Sequence, residues 1–368
     1  MNAKCAVDCC GCGLCEVVCP RNCIERCRSE RNSEILVKGN NCIQCNVCDS
    51  VCPLKTDLFH EKQKTFYKAI SRNRETLKGS SSGGVAHELA IAVINQGGIV
   101  YGAAWNRITQ RLEHMKASVL EDLYVFQGSK YIQSIITPEM YKDIKDNLKK
   151  KIVLFIGTPC EVAAIRRFTN DDERLICIDL ICHGVPSPAM FSDQIRLITK
   201  HPVKNVSFRN RLDFCLRIED DQGTYESAWE DNPYYSLYMH FASLREYCYR
   251  CKFACNARVG DITVGDYVEE GKGYSCVVVN TSKGIEWLQK ISDKMMFQVK
   301  NIKLLEGNHA FNQPTEKHPN TDRFFKAYAT RGLLRAYNET FLMFRIKRII
   351  RHLVGDSFYF TIKSKIKK

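Results

Sequence analysis

An unbroken apolar run, Ile152 to Ile156, and a second apolar run, Leu175 to Ile181, which holds Asp179, flank a short amphipathic stretch around Val162 to Phe168. Strands buried on both faces need such runs without polar alternation, so Lys151 to Val185 is expected to fold as a strand–helix–strand unit with parallel strands. Upstream, Val85, Leu89, Ala90, Val93 and Ile94 recur at helical spacing and Gly97-Gly98 closes the period. This predicts a helix that opens at Gly79-Ser80-Ser81-Ser82-Gly83-Gly84, followed by a strand over Ile99 to Ala104. Asp57 to Lys78 is polar and reads as a connector with room for one helix. Near the C-terminus, Phe341, Leu342, Phe344, Ile346, Ile349, Ile350 and Leu353 interleave with basic residues as in an amphipathic helix.

Cysteines add chemistry to this pattern. Cys9-x2-Cys12-x2-Cys15-x3-Cys19-Pro20 returns 33 residues later as Cys42-x2-Cys45-x2-Cys48-x3-Cys52-Pro53. Bacterial ferredoxins use this run to hold two [4Fe–4S] cubanes: three close-spaced thiolates bind one cluster and the fourth reaches across to the other. The pattern assigns Cys9, Cys12, Cys15 and Cys52 to one cluster, and Cys42, Cys45, Cys48 and Cys19 to its neighbour. Zinc or disulfides are the plain alternatives, but eight cysteines in duplicate register, each run closed by Pro, favour the clusters. Cys5-x3-Cys9-x2-Cys12 matches radical-SAM spacing, yet two of its members already belong to the fuller pattern. Cys5, Cys10, Cys23 and Cys27 stand outside both runs and read as structural or incidental.

With 368 residues, the chain has room for a ferredoxin module and a larger domain. A hydrophobic share of 45% and a charged share of 26% fit a globular protein and argue against both disorder and a membrane-embedded body. Twenty cysteines could mean a secreted disulfide scaffold, but MNAKCAVDCC has no apolar signal-like run, so a reducing cytoplasm is expected. The net charge of +13 is concentrated at residues 345–368, where eight Lys and Arg residues face Asp356 alone. This basic tail could meet anionic lipid at the inner face of the membrane or an acidic partner, or pack its apolar stripe on its own domain. Nucleic acid is not expected as a partner, because the tail's aromatics fall among its apolar residues and form no stacking platform.

The strand–helix–strand unit places Cys160 and Cys182 at the carboxyl ends of neighbouring strands, the edge where open α/β sheets bind ligands. Two thiols there make half of a further cluster site. Cys248-x2-Cys251 would complete it, with Cys255 a further candidate; a lone Cys-x2-Cys also suits zinc or a redox dithiol. Cys177, Cys215 and Cys276 lie in apolar surroundings and read as core residues. The Gly/Ser turn at residues 79–84 offers backbone N–H groups, hydroxyls and a helix dipole to an anion such as a flavin phosphate, although such turns also start many helices that bind nothing.

Seven segments, in order, carry a family resemblance: GSSSGGVA (79–86), GGIVYGAAW (97–105), GSKYIQS (128–134), GTPCEVAAI (157–165), ICHGVPSP (181–188), CYRCKF (248–253) and DITVGD (261–266). Together they resemble the coenzyme F420 (deazaflavin) hydrogenase/dehydrogenase beta-subunit family, here with a fused N-terminal 2[4Fe–4S] ferredoxin domain. Similar proteins include plant 7-hydroxymethyl chlorophyll reductase, and bacterial members with a fused ferredoxin often accompany polysaccharide-assembly enzymes. The resemblance implies FAD held by Ser80, Ser81, Ser82, Gly83, Gly84, Gly128, Ser129, Lys130 and Tyr131. It also implies a third [4Fe–4S] cluster on Cys160, Cys182, Cys248 and Cys251. Where relatives often continue the Gly-Asp pair with Phe-Trp-Gly, this chain has Tyr267-Val268-Glu269, which leaves the acceptor open. His183, beside Cys182, is the candidate catalytic proton donor, with a structural hydrogen-bonding role as the plain alternative.

The expected fold class is α+β: a ferredoxin domain at residues 1–56, a connector at 57–78, an α/β flavin-binding domain with a partly parallel sheet at 79–320, and a basic tail at 321–368. The expected function is an FAD-dependent iron–sulfur oxidoreductase that takes electrons from reduced ferredoxin or another donor protein and delivers them to an organic acceptor. The rival readings are a non-catalytic electron-transfer subunit and a scaffold at a membrane-bound polysaccharide assembly.

Overall fold

The computed structural model describes residues 9–28, 34–55, 59, 64–209, 212–342 and 346. Among them the strands run in chain order as β1 (Ile24–Arg28), β2 (Glu34–Lys38), β3 (Thr65–Ser71), β4 (Ile99–Asn106), β5 (Arg111–Ala117), β6 (Val153–Gly157), β7 (Leu175–Leu180), β8 (Asn205–Ser207), β9 (Cys215–Glu219), β10 (Thr224–Ala228), β11 (Ile262–Glu269), β12 (Lys272–Val279) and β13 (Met295–Lys300). Eight of these form one mixed sheet in the order β13-β3-β12-β11-β7-β6-β4-β5. The central strands β4, β6, β7 and β11 pair in parallel, and the flanking pairs are antiparallel. A partly parallel sheet in a mixed α/β chain is what the patterning implied.

The strand–helix–strand unit forms where the apolar runs placed it. Val153 pairs with Leu175 and Gly157 with Asp179, and Val153, Leu154 and Phe155 are fully buried. Between the two strands lies the helix Pro159–Thr169. Thr158 and Glu161 form a capping box at its start, and Pro159 takes the first-turn position, where its missing N–H costs nothing. The helix Val85–Asn95 also forms as expected, opening at Gly84 (φ 82°) and closing before Gly97 (φ 73°).

The connector reading of residues 57–78 is corrected in part. The helix Arg74–Gly79 is there, but Thr65–Ser71 is β3, an inner strand of the large sheet. Its pattern is blurred by Lys68 and Ser71, and its partners β12 and β13 lie some two hundred residues further along the chain, so no local signal announces the pairing.

Beside the sheet, β8, β9 and β10 form a small antiparallel sheet in the order β10-β9-β8. It shares an aromatic core of Trp105, Phe191, Phe208, Tyr234, Tyr235 and Tyr238 with the helices Pro188–Ile198 and Pro233–Met239. The helix Thr321–Thr340, interrupted at Gly332, buries Phe324, Phe325, Tyr328 and Tyr337 in the same core, and Phe341 follows them. The start of the expected tail is therefore a packed element of the domain. Arg345 and residues 347–368, which carry the basic charge, lie outside the described residues. Among the described residues no helix is long and apolar enough to cross a membrane.

Candidate functional site

A cavity of about 960 Å³ opens at the carboxyl ends of β6, β7 and β11. The helix Val85–Asn95 points its first turn at it, with Val85, Ala86 and His87 in the wall. Backbone N–H groups in the first turn of a helix have no partner within the helix, so this end presents donors and a positive dipole to the cavity. The Gly/Ser turn and the Gln127–Tyr131 turn face one another here, joined by a 2.9 Å hydrogen bond from Ser129 Oγ to Ser81 Oγ. Ser80, Ser81, Ser82, Gly84, Gly128, Ser129, Lys130 and Tyr131 all line the cavity.

Gly83 does not. Its N–H donates to Ser275 Oγ at 3.0 Å, and a Cβ on it would collide with the Ala69 carbonyl and the Ser275 amide. The glycine is needed where the turn crosses β3 and β12. Ser80 likewise turns its hydroxyl inward, to the Thr76 carbonyl at 2.6 Å. Lys130 Nζ donates to the Gln127 carbonyl at 2.7 Å, and burial lowers its amine to about 7. Tyr131 stacks on Tyr238 with ring centroids 4.5 Å apart and anchors this turn in the aromatic core.

His183 reaches the cavity from the end of β7. Its Nδ1 lies 3.3 Å from His309 Nε2, and Thr315 Oγ1 lies 3.0 Å from the same His309 nitrogen and donates to the His183 carbonyl at 2.7 Å. Burial, with His309 beside it, pushes His183 down to about 4, so the ring is neutral at ordinary pH. Phe241 stacks on His183 at 6.0 Å and holds a left-handed backbone (φ 54°), which is strained for a bulky side chain. The sequence did not announce His309, Thr315 or Phe241. They come from loops with no motif and meet His183 only in three dimensions.

The cysteines of the expected sets lie near one another to different extents. Cys19, Cys42, Cys45 and Cys48 line one small cleft, joined by Cys23, whose sulfur is 3.4 Å from that of Cys19. Cys15 lies within electrostatic reach of Cys9, Cys48 and Cys52, and Cys12 within reach of Cys9 and Cys15. Cys182 lies within electrostatic reach of Cys160, Cys248 and Cys251. Burial pushes the thiols of Cys248 and Cys251 up to about 11 and 12, so binding a metal there would release protons. Among the described residues no three His, Cys, Asp or Glu side chains converge on one ion position. Sets of thiols that converge on no single ion position fit a multi-iron cluster better than one metal ion.

The supporting residues are buried and charged. Arg258, fully buried, pairs with Asp179 at 3.2 Å and donates to the carbonyls of Phe253 (3.2 Å) and Cys255 (3.3 Å), bracing the loop after Cys251 against β7. Cys255 turns its sulfur to the Ala257 carbonyl at 3.2 Å. Cys10, read as structural or incidental, is buried in contact with both Cys12 and Cys160. Cys177, Cys215 and Cys276 are buried, as expected of core residues.

The domain is thus an α/β sheet with parallel central strands, a large cavity at its carboxyl edge and Cys182 in the cavity wall. Residues 150–304 match the family model for the C terminus of the coenzyme F420 hydrogenase/dehydrogenase beta subunit. The match supports the resemblance carried by the ordered motifs and covers the four from GTPCEVAAI (157–165) to DITVGD (261–266). The matched segment contains Cys160, Cys182, His183, Cys248 and Cys251. No curated protein matches the chain. Among solved structures, a chain of the xenon-derivatised F420-reducing [NiFe] hydrogenase complex from Methanosarcina barkeri is similar at 18% identity, over 79% of this chain and 93% of that one, with a TM-score of 0.45.

Proposed function

We propose that this chain is an iron–sulfur flavoprotein oxidoreductase that draws electrons from a donor protein through two ferredoxin-type [4Fe–4S] clusters and a third, internal one, and passes them on FAD to an organic acceptor. Bound, such clusters supply one-electron steps and a flavin pairs them for two-electron chemistry. The observation that carries the reading is the end of β7: Cys182 belongs both to the four-thiol set and to the wall of the cavity, and His183 follows it there.

Each group of residues has its task. The first turn of the helix Val85–Asn95, with Ser81, Ser129 and Lys130, presents donors to an anionic phosphate. Tyr131, fixed by Tyr238, closes one wall. His183, neutral and held by His309, is placed to share a proton with a group at the acceptor end of the cavity, where Asp266 and Asn308 also lie. The donor would approach the loop of Cys42 to Cys48, where Cys45 and Ile43 are exposed. A cytoplasmic setting and a polysaccharide-assembly context belong to the same proposal.

The test is rapid-mixing reduction with dithionite under anaerobic conditions. The parent should reduce its flavin fully and then be reoxidised by a small organic acceptor without another polypeptide. Cys251→Ala should reduce its ferredoxin-type clusters normally and its flavin far more slowly. Flavin reduction at the parental rate in that variant would refute the route through the internal site. Reoxidation only by a second protein would make the chain a relay subunit.

A further inference from the structure

The ferredoxin module and the larger domain meet around one buried guanidinium. Arg245 is 2% exposed, and three chain segments converge on it. Its Nη1 donates to the Cys9 carbonyl at 3.0 Å, on the ferredoxin side. Nε donates to Gln133 Oε1 at 3.1 Å, and Nη2 donates to the same oxygen, so that one carboxamide receives the fork. Its backbone completes the junction: the Arg245 amide donates to the Val185 carbonyl at 2.9 Å, next to the Cys182–Gly184 loop, and its carbonyl accepts from the Cys248 amide at 2.9 Å.

A second, independent observation concerns Gly11, in the middle of the Cys9–Cys12 loop. Its φ is 77°, and a Cβ there would collide with both the Gln133 carboxamide and the Arg245 guanidinium. The loop is bare at the point where the fork passes. Tyr141, also buried, secures its far end by donating from its hydroxyl to the Cys12 carbonyl at 2.8 Å.

We propose that Arg245 is the positioning residue that couples the cysteine set of the ferredoxin module to the internal set, fixing their separation and placing one permanent positive charge between them. The inference rests on the proposed iron–sulfur reading. A guanidinium stays protonated at any working pH, and a fixed cation favours whichever neighbouring centre has just gained an electron. Passage of one electron from the Cys9 side to the Cys248 side breaks no bond and moves no proton, so distance and local field govern it. Arg245 controls both. A lysine could keep the charge but could not reach Cys9 and Gln133 together with a planar fork.

The test uses the full chain, prepared anaerobically, with iron content, redox titration and EPR as readouts. Arg245→Met should retain the parental iron content while the centres on both sides become harder to reduce, by about tenfold in the reduction equilibrium, or 59 mV for one electron. Gln133→Ala, which keeps the charge but removes the acceptor of the fork, should leave the potentials closer to the parent's and weaken the magnetic interaction between the two reduced centres. Arg245→Lys should behave like Gln133→Ala. Parental potentials and parental spin coupling in an iron-replete Arg245→Met protein would overturn the inference while leaving the iron–sulfur reading intact. A parent chain that takes up no iron would overturn both.

Discussion

Lys130 offers a sharp test of the flavin reading, because its burial ties ligand affinity to pH. Its amine, ordinarily near 10.4, is lowered to about 7 in the cavity wall, where its hydrogen bond goes to the neutral Gln127 carbonyl. An anionic phosphate arriving beside it would favour the charged form, so binding should take up a proton above pH 7. The charged fraction of the free protein falls from about nine-tenths at pH 6 to about one-tenth at pH 8, which weakens the apparent affinity about tenfold across that range. Below pH 6 Lys130 is almost fully charged and adds no further slope. His87, His183 and His309 also line the cavity, but burial holds all three below the ordinary histidine range, so they are neutral above pH 7 and add no slope there. The assay is quenching of FAD fluorescence by flavin-free protein at constant ionic strength from pH 6 to 9. Lys130→Met should weaken binding at pH 6 by roughly ten- to a hundredfold, from about 1.5–3 kcal/mol for a hydrogen bond to a charged group, and should flatten the profile. A flat parental profile, or an unchanged slope in Lys130→Met, would refute the reasoning.

Other expectations follow from the supporting residues. Asp179→Asn leaves the buried Arg258 without its anion and should cost about 3–5 kcal/mol, read as a lower thermal midpoint together with reduced iron uptake as the loop after Cys251 loosens. Gly83→Val should lower the thermal midpoint by forcing β3 and β12 apart, whereas Ser81→Ala should weaken FAD binding with little change in stability; the opposite pattern would place Gly83 at the ligand. Cys160→Ala and Cys248→Ala should each lose the iron of the internal site alone, and iron equal to the parent's in either would remove that residue from the set.

The duplicated cysteine run and the two apolar runs made much of this architecture legible, because both are local. A Cys-x2-Cys-x2-Cys loop needs only its own residues to aim three sulfurs, and β6 and β7 need only to be mostly apolar, Asp179 apart, to be recognised as buried parallel strands. The proposed internal set rests on a similar signal: Cys160 and Cys182 follow the carboxyl ends of adjacent strands. What escaped the sequence depends on distant partners. β3 is fixed by strands some two hundred residues away, and Gly83 looked like a ligand-facing glycine until Ala69 and Ser275 occupied the space beside it. Arg245, Gln133 and His309 stand in no recognisable motif, and their importance comes entirely from what they touch.

The central claim is that three four-thiol sets hold three cubanes beside a flavin. It is tested most directly by counting iron, acid-labile sulfide and flavin in anaerobically prepared protein, parent and Cys182→Ala side by side. The account expects about twelve irons and one flavin per chain in the parent, four irons for each cubane, and about eight irons in the variant. Equal iron in the two proteins, or a folded parent that neither contains nor takes up flavin, would contradict it.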